Sequence, residues 1–362
     1  MQSSMRIENV EAKLYRAPLR APFKIALGET DHIETIIVRV TVEGGLAGFG
    51  EASAYAPVTG EDSEGALAFL RKAASALVGR DAAGVAGIHA AMDAISVGRP
   101  AAKAGVDIAV YDILAKRAQL PLYRFLGGTD PCVRTDMTVG LADTAVMAER
   151  AALRAREGFR TLKIKAGIDP AQDVEHLLAI REAVGPETEL RIDANQGWDA
   201  KSALWVLERL EGVGIAEVEQ PLPHWDLAGM RFLRERIGQQ LMLDESVHTP
   251  HDAMRAAMAG AGDMINIKLM KSGGLHPALK INAIAEAAGM ACMAGCMSET
   301  RVSISAGAHM AAALPNVVLA DLDSWMEIAD DGCAQGGFTR EGDRLTLADA
   351  PGLGVTVDFD AL

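Results

Sequence analysis

Cysteine is scarce in this chain of 362 residues: there are four, Cys132, Cys292, Cys296 and Cys333, and no two stand as a Cys-x-x-Cys pair. That is too few for a disulfide framework and leaves zinc without paired thiolates. Cys292 and Cys296 lie among small residues between Met290 and Met297 and read as buried packing. Long apolar runs are missing as well. Met1 to Arg20 lacks an uninterrupted hydrophobic segment, and no later stretch reaches the roughly 18 apolar residues of a membrane span. A cytoplasmic location without membrane contact is the expectation. A basic block is absent too: 35 basic against 49 acidic residues give a formal charge of −14, which argues against nucleic acid as a partner.

What is present is a globular composition, 49% hydrophobic and 23% charged, on a chain long enough for one large or two moderate domains. The first third mixes strands and helices without a repeat. Ile36–Val42, the turn Glu43-Gly44-Gly45 and Leu46–Gly50 read as a hairpin. Helices are expected from Glu61 to Val78 and from Pro100 onward, where Ala104, Ile108, Tyr111, Leu114 and Ala115 recur at helical spacing. Gly127-Gly128-Thr129-Asp130-Pro131 marks a break.

Beyond that break the pattern becomes periodic, a short β-type run followed by an amphipathic helix. The candidate strands lie near Thr135–Val139, Thr161–Ala166, Leu190–Ala194, Ile215–Glu219, Leu241–Asp244, Met264–Leu269, Met290–Ala294 and Val317–Asp321. Eight strand-helix units imply an α/β fold of the TIM type, a (β/α) barrel. The tail from Gly336 fits no such unit and is expected to pack on the N-terminal α+β part, which would cap the barrel mouth. The resulting division is 1–129 with 330–362 as capping domain and 130–329 as catalytic barrel.

Polar residues end successive barrel runs, and in a TIM-type barrel such positions converge on one mouth. Lys163 and Lys165 end the second strand, Asp193, Glu219 and Asp244 the third, fourth and fifth, Lys268 the sixth, and Asp321 with Asp323 the eighth. Alternation puts Lys163 with Lys165, Asp193 with Asn195, and Asp321 with Asp323 on common sides; Glu217 and Glu219 share a side too, so spacing alone leaves that choice open. Three carboxylates without a His or Cys cluster favour Mg²⁺ over Zn²⁺. Taking a proton from the carbon beside a carboxylate builds charge that a nearby cation stabilises. The base must then be a neutral amine, and the neighbouring charges of Lys163, Lys165 and the cation would lower its pKa. Lys165 and Lys268, opposite one another in a ring of eight, predict inversion of a stereocentre. Asp321 and Asp323 would hold a cationic group of the substrate.

These residues resemble the enolase superfamily in its muconate-lactonizing subgroup, whose sites use Lys or His bases with Mg²⁺. The match runs through Lys163-Ile-Lys165, Asp193-Ala-Asn195, Glu219-Gln-Pro221, Asp244-Glu-Ser246 and Ile267-Lys268 to Gly274, while Asp321-Leu-Asp323 and Met297-Ser298 are similar to segments of the dipeptide epimerases. The resemblance implies Mg²⁺ at Asp193, Glu219 and Asp244, Lys165 and Lys268 as the acid/base pair with Lys163 assisting, and an α-ammonium at Asp321 and Asp323. Asn195, Thr135, Met297, Ser298, Lys24 and Tyr55 complete the candidate substrate-binding set. The best-known members invert the second residue of L-Ala-L-Glu and often carry an Arg in the first capping loop; Phe23 to Asp31 contains none. The activity implied is Mg²⁺-dependent epimerisation of a dipeptide. Alternatives are a dehydratase or racemase of a small amino acid derivative, such as cis-3-hydroxyproline or an N-acyl amino acid, a muconate-type cycloisomerase, and a nonenzymatic binding barrel. Besides a small-molecule substrate, the expected partners are further copies of the chain.

Overall fold

In the computed structural model, residues 5–329 and 332–362 are described. The domain boundary expected at 330 lies outside the described residues, as do the first four positions.

Three strands, β1 (Ile7–Ile25), β2 (Gly28–Val42) and β3 (Ala47–Ala52), form an antiparallel meander. Val38, Val40 and Val42 on one side of β2 bury against helices Ser63–Leu77 and Pro100–Ala118, giving the cap a core of its own. The expected hairpin is thus β2–β3, but β1 was not legible. It pairs along nearly the whole of β2 and shifts register between Pro18 and Phe23, beyond which a tight turn at Ala26-Leu27 ends the first hairpin.

A short strand, β4 (Cys132–Arg134), leads into the barrel. Its staves are β5 (Met137–Val139), β6 (Thr161–Lys165), β7 (Glu189–Asp193), β8 (Ile215–Glu219), β9 (Gln240–Leu243), β10 (Met264–Lys268), β11 (Ala291–Gly295) and β12 (Val317–Asp321). Each is hydrogen-bonded in parallel to its sequence neighbour. This is the expected (β/α) barrel, and it is nearly closed. At the seam the Asp136 amide donates to the Ala320 carbonyl at 3.0 Å, and the Leu322 amide donates to Thr135 Oγ1 at 2.8 Å. Outward residues such as Ile164, Ile192, Val218 and Ile267 pack beneath the surrounding helices, while Met242, Met264 and Met293 fill the interior below the mouth.

The tail divides its allegiance. β13 (Ala334–Gly336) pairs with β16 (Val355–Val357), while β14 (Phe338–Glu341) and β15 (Arg344–Leu347) form a hairpin that pairs with β4. The hairpin therefore lies against the barrel entrance strand and shares a core cluster with Tyr123, while residues from Gly352 onward dock on the cap. There the Leu353 amide donates to Asp112 Oδ1 at 2.9 Å, and the Arg39 guanidinium stacks 4.3 Å from the Phe359 ring centroid.

Two buried cap carboxylates fasten the cap to the barrel. Asp107 accepts the Leu275 and His276 amides at the start of helix Leu275–Ala287. Glu51, at the end of β3, accepts the amides of Thr300 (2.8 Å) and Ser303 (3.0 Å) and the Thr300 hydroxyl (2.7 Å) at the start of helix Arg301–Ala313. Orphan amides at a helix N-terminus need such acceptors. Glu51→Ala should therefore lower stability by about 2–4 kcal/mol in a urea melt, since it strands several buried donors. A loss under about 0.5 kcal/mol would mean that apolar packing alone holds the cap.

Candidate active site

All the barrel-end residues meet at the mouth facing the cap. Lys163 is almost wholly buried, its ammonium 2.8 Å from Asp321, 2.9 Å from Glu219 and 3.1 Å from Asp193. Lys165 donates to Asp193 Oδ2 at 2.6 Å and to Asn195 Oδ1 at 3.1 Å. Four strands round the ring, on β10, Lys268 pairs with Asp244 at 2.8 Å. One layer down, Arg191 on β7 reaches Glu217 and Asp136, each at 2.9 Å. The open choice between the two glutamates thus resolves: Glu219 stands at the mouth, and Glu217 is tied to Arg191 below it.

Special backbone positions shape this rim. Asn195 and Gln220, directly beyond Asp193-Ala194 and Glu219, hold left-handed φ values of 41° and 33°, and such strain in non-glycine residues concentrates at functional sites. Gln220 then stitches strand ends together, its Oε1 accepting the Asp244 amide at 2.9 Å and its Nε2 donating to Ser246 Oγ at 2.9 Å. Gly167, after Lys165, has φ 98°, and a Cβ there would stand 2.1 Å from the Ala194 carbonyl oxygen. Only glycine lets these two strand ends approach.

The electrostatics follow from crowding charge in a dry place. Burial works against the Lys163 ammonium, but Asp321, Glu219 and Asp193 outweigh it and hold the pKa well above the usual lysine range. Carboxylates, and not cations, are the nearest neighbours of the Lys163 ammonium. Lys268 is raised as well: burial opposes its charge, and Asp244 prevails. Burial pushes Glu219 up to about 7 and Glu245 up to about 8, with neighbouring carboxylates adding to both. Asp323 rises to about 7 through burial and the charge of Asp321.

Between mouth and cap lies a cavity of about 340 Å³, small for a ligand site. Lys163, Lys165, Lys268, Asn195, Asp321 and Asp323 line its floor; Met297 and Ser298 line its flank, and Tyr55 its cap side. Two expected substrate contacts are not there. Lys24 is exposed, because the alternation that turns Phe23 and Ile25 inward turns it out. Thr135 is buried in the barrel seam, where its hydroxyl serves Leu322. Thr138 lines the cavity in its stead, and its amide donates to Asp323 Oδ2 at 2.6 Å. Cys296, read as packing, lines the cavity too, its Sγ 3.9 Å from Asp323 Oδ1. Lys271 was also missed: this buried ammonium pairs with Asp244 and donates to the Asn266 carbonyl at 3.0 Å.

Asp193, Glu219 and Asp244 lie beneath the lysines, each at most 3% exposed. Among the described residues, the acid and thiol atoms that converge within 4.8 Å are those of Cys296, Asp321 and Asp323; the trio is wider, with Lys163 between Asp193 and Glu219, and with Lys268 and Lys271 on Asp244. The trio nevertheless suits a hard divalent ion. Its donors are all carboxylate oxygens, and the mouth buries more acid than base: Asp193, Glu219, Asp244, Glu245, Glu299, Asp321 and Asp323 against Lys163, Lys165, Lys268 and Lys271. Burial raises the pKa of Glu219, Glu245 and Asp323 with neighbouring carboxylates adding to it, whereas at Asp193 and Asp244 burial is outweighed by the lysines beside them, which hold those two below the usual carboxylate range.

Comparison with known proteins agrees with this geometry. Residues 9–127 match the family described as mandelate racemase / muconate lactonizing enzyme, N-terminal domain, and residues 146–361 match the enolase C-terminal domain-like family. The hydrophobic dipeptide epimerase of Enterococcus faecalis is 42% identical over 97% of this chain and all of its own length. The L-Ala-D/L-Glu epimerase of Bacillus subtilis is 40% identical, covering 97% of each chain. The solved structure of the dipeptide epimerase from E. faecalis, complexed with Mg and L-Leu-L-Tyr, superposes with a TM-score of 0.95 over 97% of this chain and all of that one. The protein belongs to the enolase superfamily, in its mandelate racemase / muconate lactonizing branch.

Proposed function

We propose that this protein is a Mg²⁺-dependent dipeptide epimerase that inverts the α-carbon of the C-terminal residue. The observation that carries the reading is the placing of Lys165 and Lys268 on opposite staves, both facing one cavity and each held by an acid of the trio. Relatives described as dipeptide epimerases, and a neighbour solved with Mg and a dipeptide, support it.

Asp193, Glu219 and Asp244 would hold Mg²⁺, which when bound supplies positive charge to offset what develops on the substrate carboxylate. Lys165 and Lys268 then address the two faces of the carbon next to that carboxylate: one takes the proton and the other returns a proton to the opposite face. Asn195 and Asp193 fix the Lys165 amine, and Asp244 fixes that of Lys268. Lys163, beside Asp321, Glu219 and Asp193, would assist with positive charge at the floor of the site. Asp321 Oδ1 is buried without a hydrogen-bond partner and faces the cavity beside Asp323, so the pair offers acceptors for the α-ammonium. A muconate-type dianion would meet repulsion there.

Purified enzyme with Mg²⁺ in D₂O should incorporate deuterium at the α-carbon of a dipeptide and yield both epimers, as followed by proton NMR. No incorporation across a mixed dipeptide library would overturn the reading. A pH profile follows as well. Asp323 is ionised only above about 7, whereas the substrate α-ammonium loses its proton near about 8. The value of kcat/KM should therefore fall on the acid side of about 7 and on the alkaline side of about 8. The acid limb should shift in Asp323→Asn if this carboxyl sets it.

A further inference from the structure

The cap side of the cavity is apolar and lacks a cation. Phe23 and Ile25 on β1, Leu27 at the hairpin turn, Ile33 on β2, and Pro57 with Val58 after Tyr55 all face it. Among the described residues, the lining cations are Lys163, Lys165 and Lys268, all at the barrel floor. The charged groups higher up are acids: Glu29 at the rim and Glu327, the latter paired with Arg154 at 2.7 Å.

If the epimerase reading holds, on which this inference rests, the orientation of the reacting carbon is constrained. Its two faces turn to Lys165 and Lys268, its carboxylate to the trio on β7 to β9, and its peptide nitrogen towards Asp321 and Asp323. The remaining substituent, the side chain, is left pointing to the cap. We infer that the substrates are dipeptides with an aliphatic or aromatic C-terminal residue, whose side chain enters the slot under the β1–β2 hairpin, and that acidic C-terminal residues are rejected. A carboxylate in that slot would lose its water and meet Glu29 with no cation to pair with. An apolar side chain there replaces water with the faces of Phe23, Ile25 and Leu27. The small cavity agrees with a dipeptide and leaves little room for a longer peptide.

The test is deuterium exchange of the wild-type enzyme with L-Ala-L-Leu, L-Ala-L-Phe, L-Ala-L-Glu and L-Ala-L-Lys. The expected kcat/KM for the Leu and Phe dipeptides exceeds that for L-Ala-L-Glu by about 100-fold. Exchange with L-Ala-L-Glu within tenfold of L-Ala-L-Leu would overturn the inference and leave the epimerase reading standing. So would L-Ala-L-Lys as the fastest substrate, since rim acids and not the apolar lining would then decide. Exchange with none of the four, but with other dipeptides of the library, would also sink the inference alone; silence across the library would sink both. Leu27→Arg should raise the ratio of L-Ala-L-Glu to L-Ala-L-Leu by about tenfold or more, because it supplies the missing bidentate cation. An unchanged ratio in folded L27R protein would place the side-chain slot elsewhere.

Discussion

A Lys268→Ala enzyme should lose epimerisation by about 10³-fold or more and yet keep exchanging the α-proton of one epimer with D₂O; Lys165→Ala should keep exchange with the opposite epimer instead. The complementary pattern follows from the two amines standing on opposite staves of the barrel. Each deletion removes the donor on one face and leaves the other able to take a proton and give it back on its own side. Neither variant should leave a bare acid behind. Asp193 retains Lys163 at 3.1 Å when Lys165 is removed, and Asp244 retains Lys271 when Lys268 is removed. The floor of the site should therefore persist, and thermal melts of both variants should lie near the wild type. If either variant exchanges both epimers, one lysine serves both faces and the two-base reading fails. If both lose all exchange while remaining folded and binding Mg²⁺, the lysines act as a unit and the assignment of one face to each is wrong.

Much of the barrel was legible because each stave repeats one physical pattern. Ile164, Ile192, Val218 and Ile267 face the helices while Lys163, Asp193, Glu219 and Lys268 face the axis, and the period of two carries both facts at once. Convergence of the polar ends needed nothing more than the direction of parallel strands. The cap was less legible. In β1 the buried positions Ile7, Val10 and Ala17 are too sparse to signal a strand of 19 residues, because much of it runs past the cap core and over the mouth. That is also why Lys24 misled: reading Phe23 to Asp31 as a loop left its side unassigned, whereas its neighbours Phe23 and Ile25 line the cavity and Lys24 itself is exposed.

Residues missed at the site share another property. Gln220 and Lys271 act on backbone groups beyond a strand end distant in sequence, the Asp244 amide for one and the Asp244 carbonyl for the other. No spacing rule marks a side chain whose partner is a main-chain atom of another stave. Cys296 was hidden by its neighbours. Between Gly295 and Met297 its composition signals packing, and only the closing of β12 beside β11 brings Asp323 to its sulfur. The tail hairpin presents the same difficulty on a larger scale, since pairing of β15 with β4 joins residues more than two hundred positions apart.

Glu219→Gln should abolish the effect of Mg²⁺ on both activity and stability. For the wild type, Mg²⁺ at about 100 times its Kd should stabilise the fold by about 2.7 kcal/mol, and a chelator should reverse this and stop turnover. Glu219 tests the trio better than Asp244 does. Replacing Asp244 strips both Lys268 and Lys271 of their carboxylate, and two buried ammoniums left unpaired would cost several kcal/mol whatever the role of the metal. At position 219 the side chain keeps its shape, Lys163 keeps Asp193 and Asp321, and the amide nitrogen of Asn266, 2.7 Å from Glu219 Oε1, keeps an acceptor in the glutamine carbonyl. What is lost is one negative charge in a cluster of three, so the effect on the metal should be large and the effect on the metal-free fold small. The decisive measurement is a thermal melt of E219Q with and without Mg²⁺ beside the same pair for wild type. An E219Q protein that Mg²⁺ stabilises as strongly as the wild type would remove Glu219 from the proposed ligand set, and with it the argument that surplus buried acid marks a cation site.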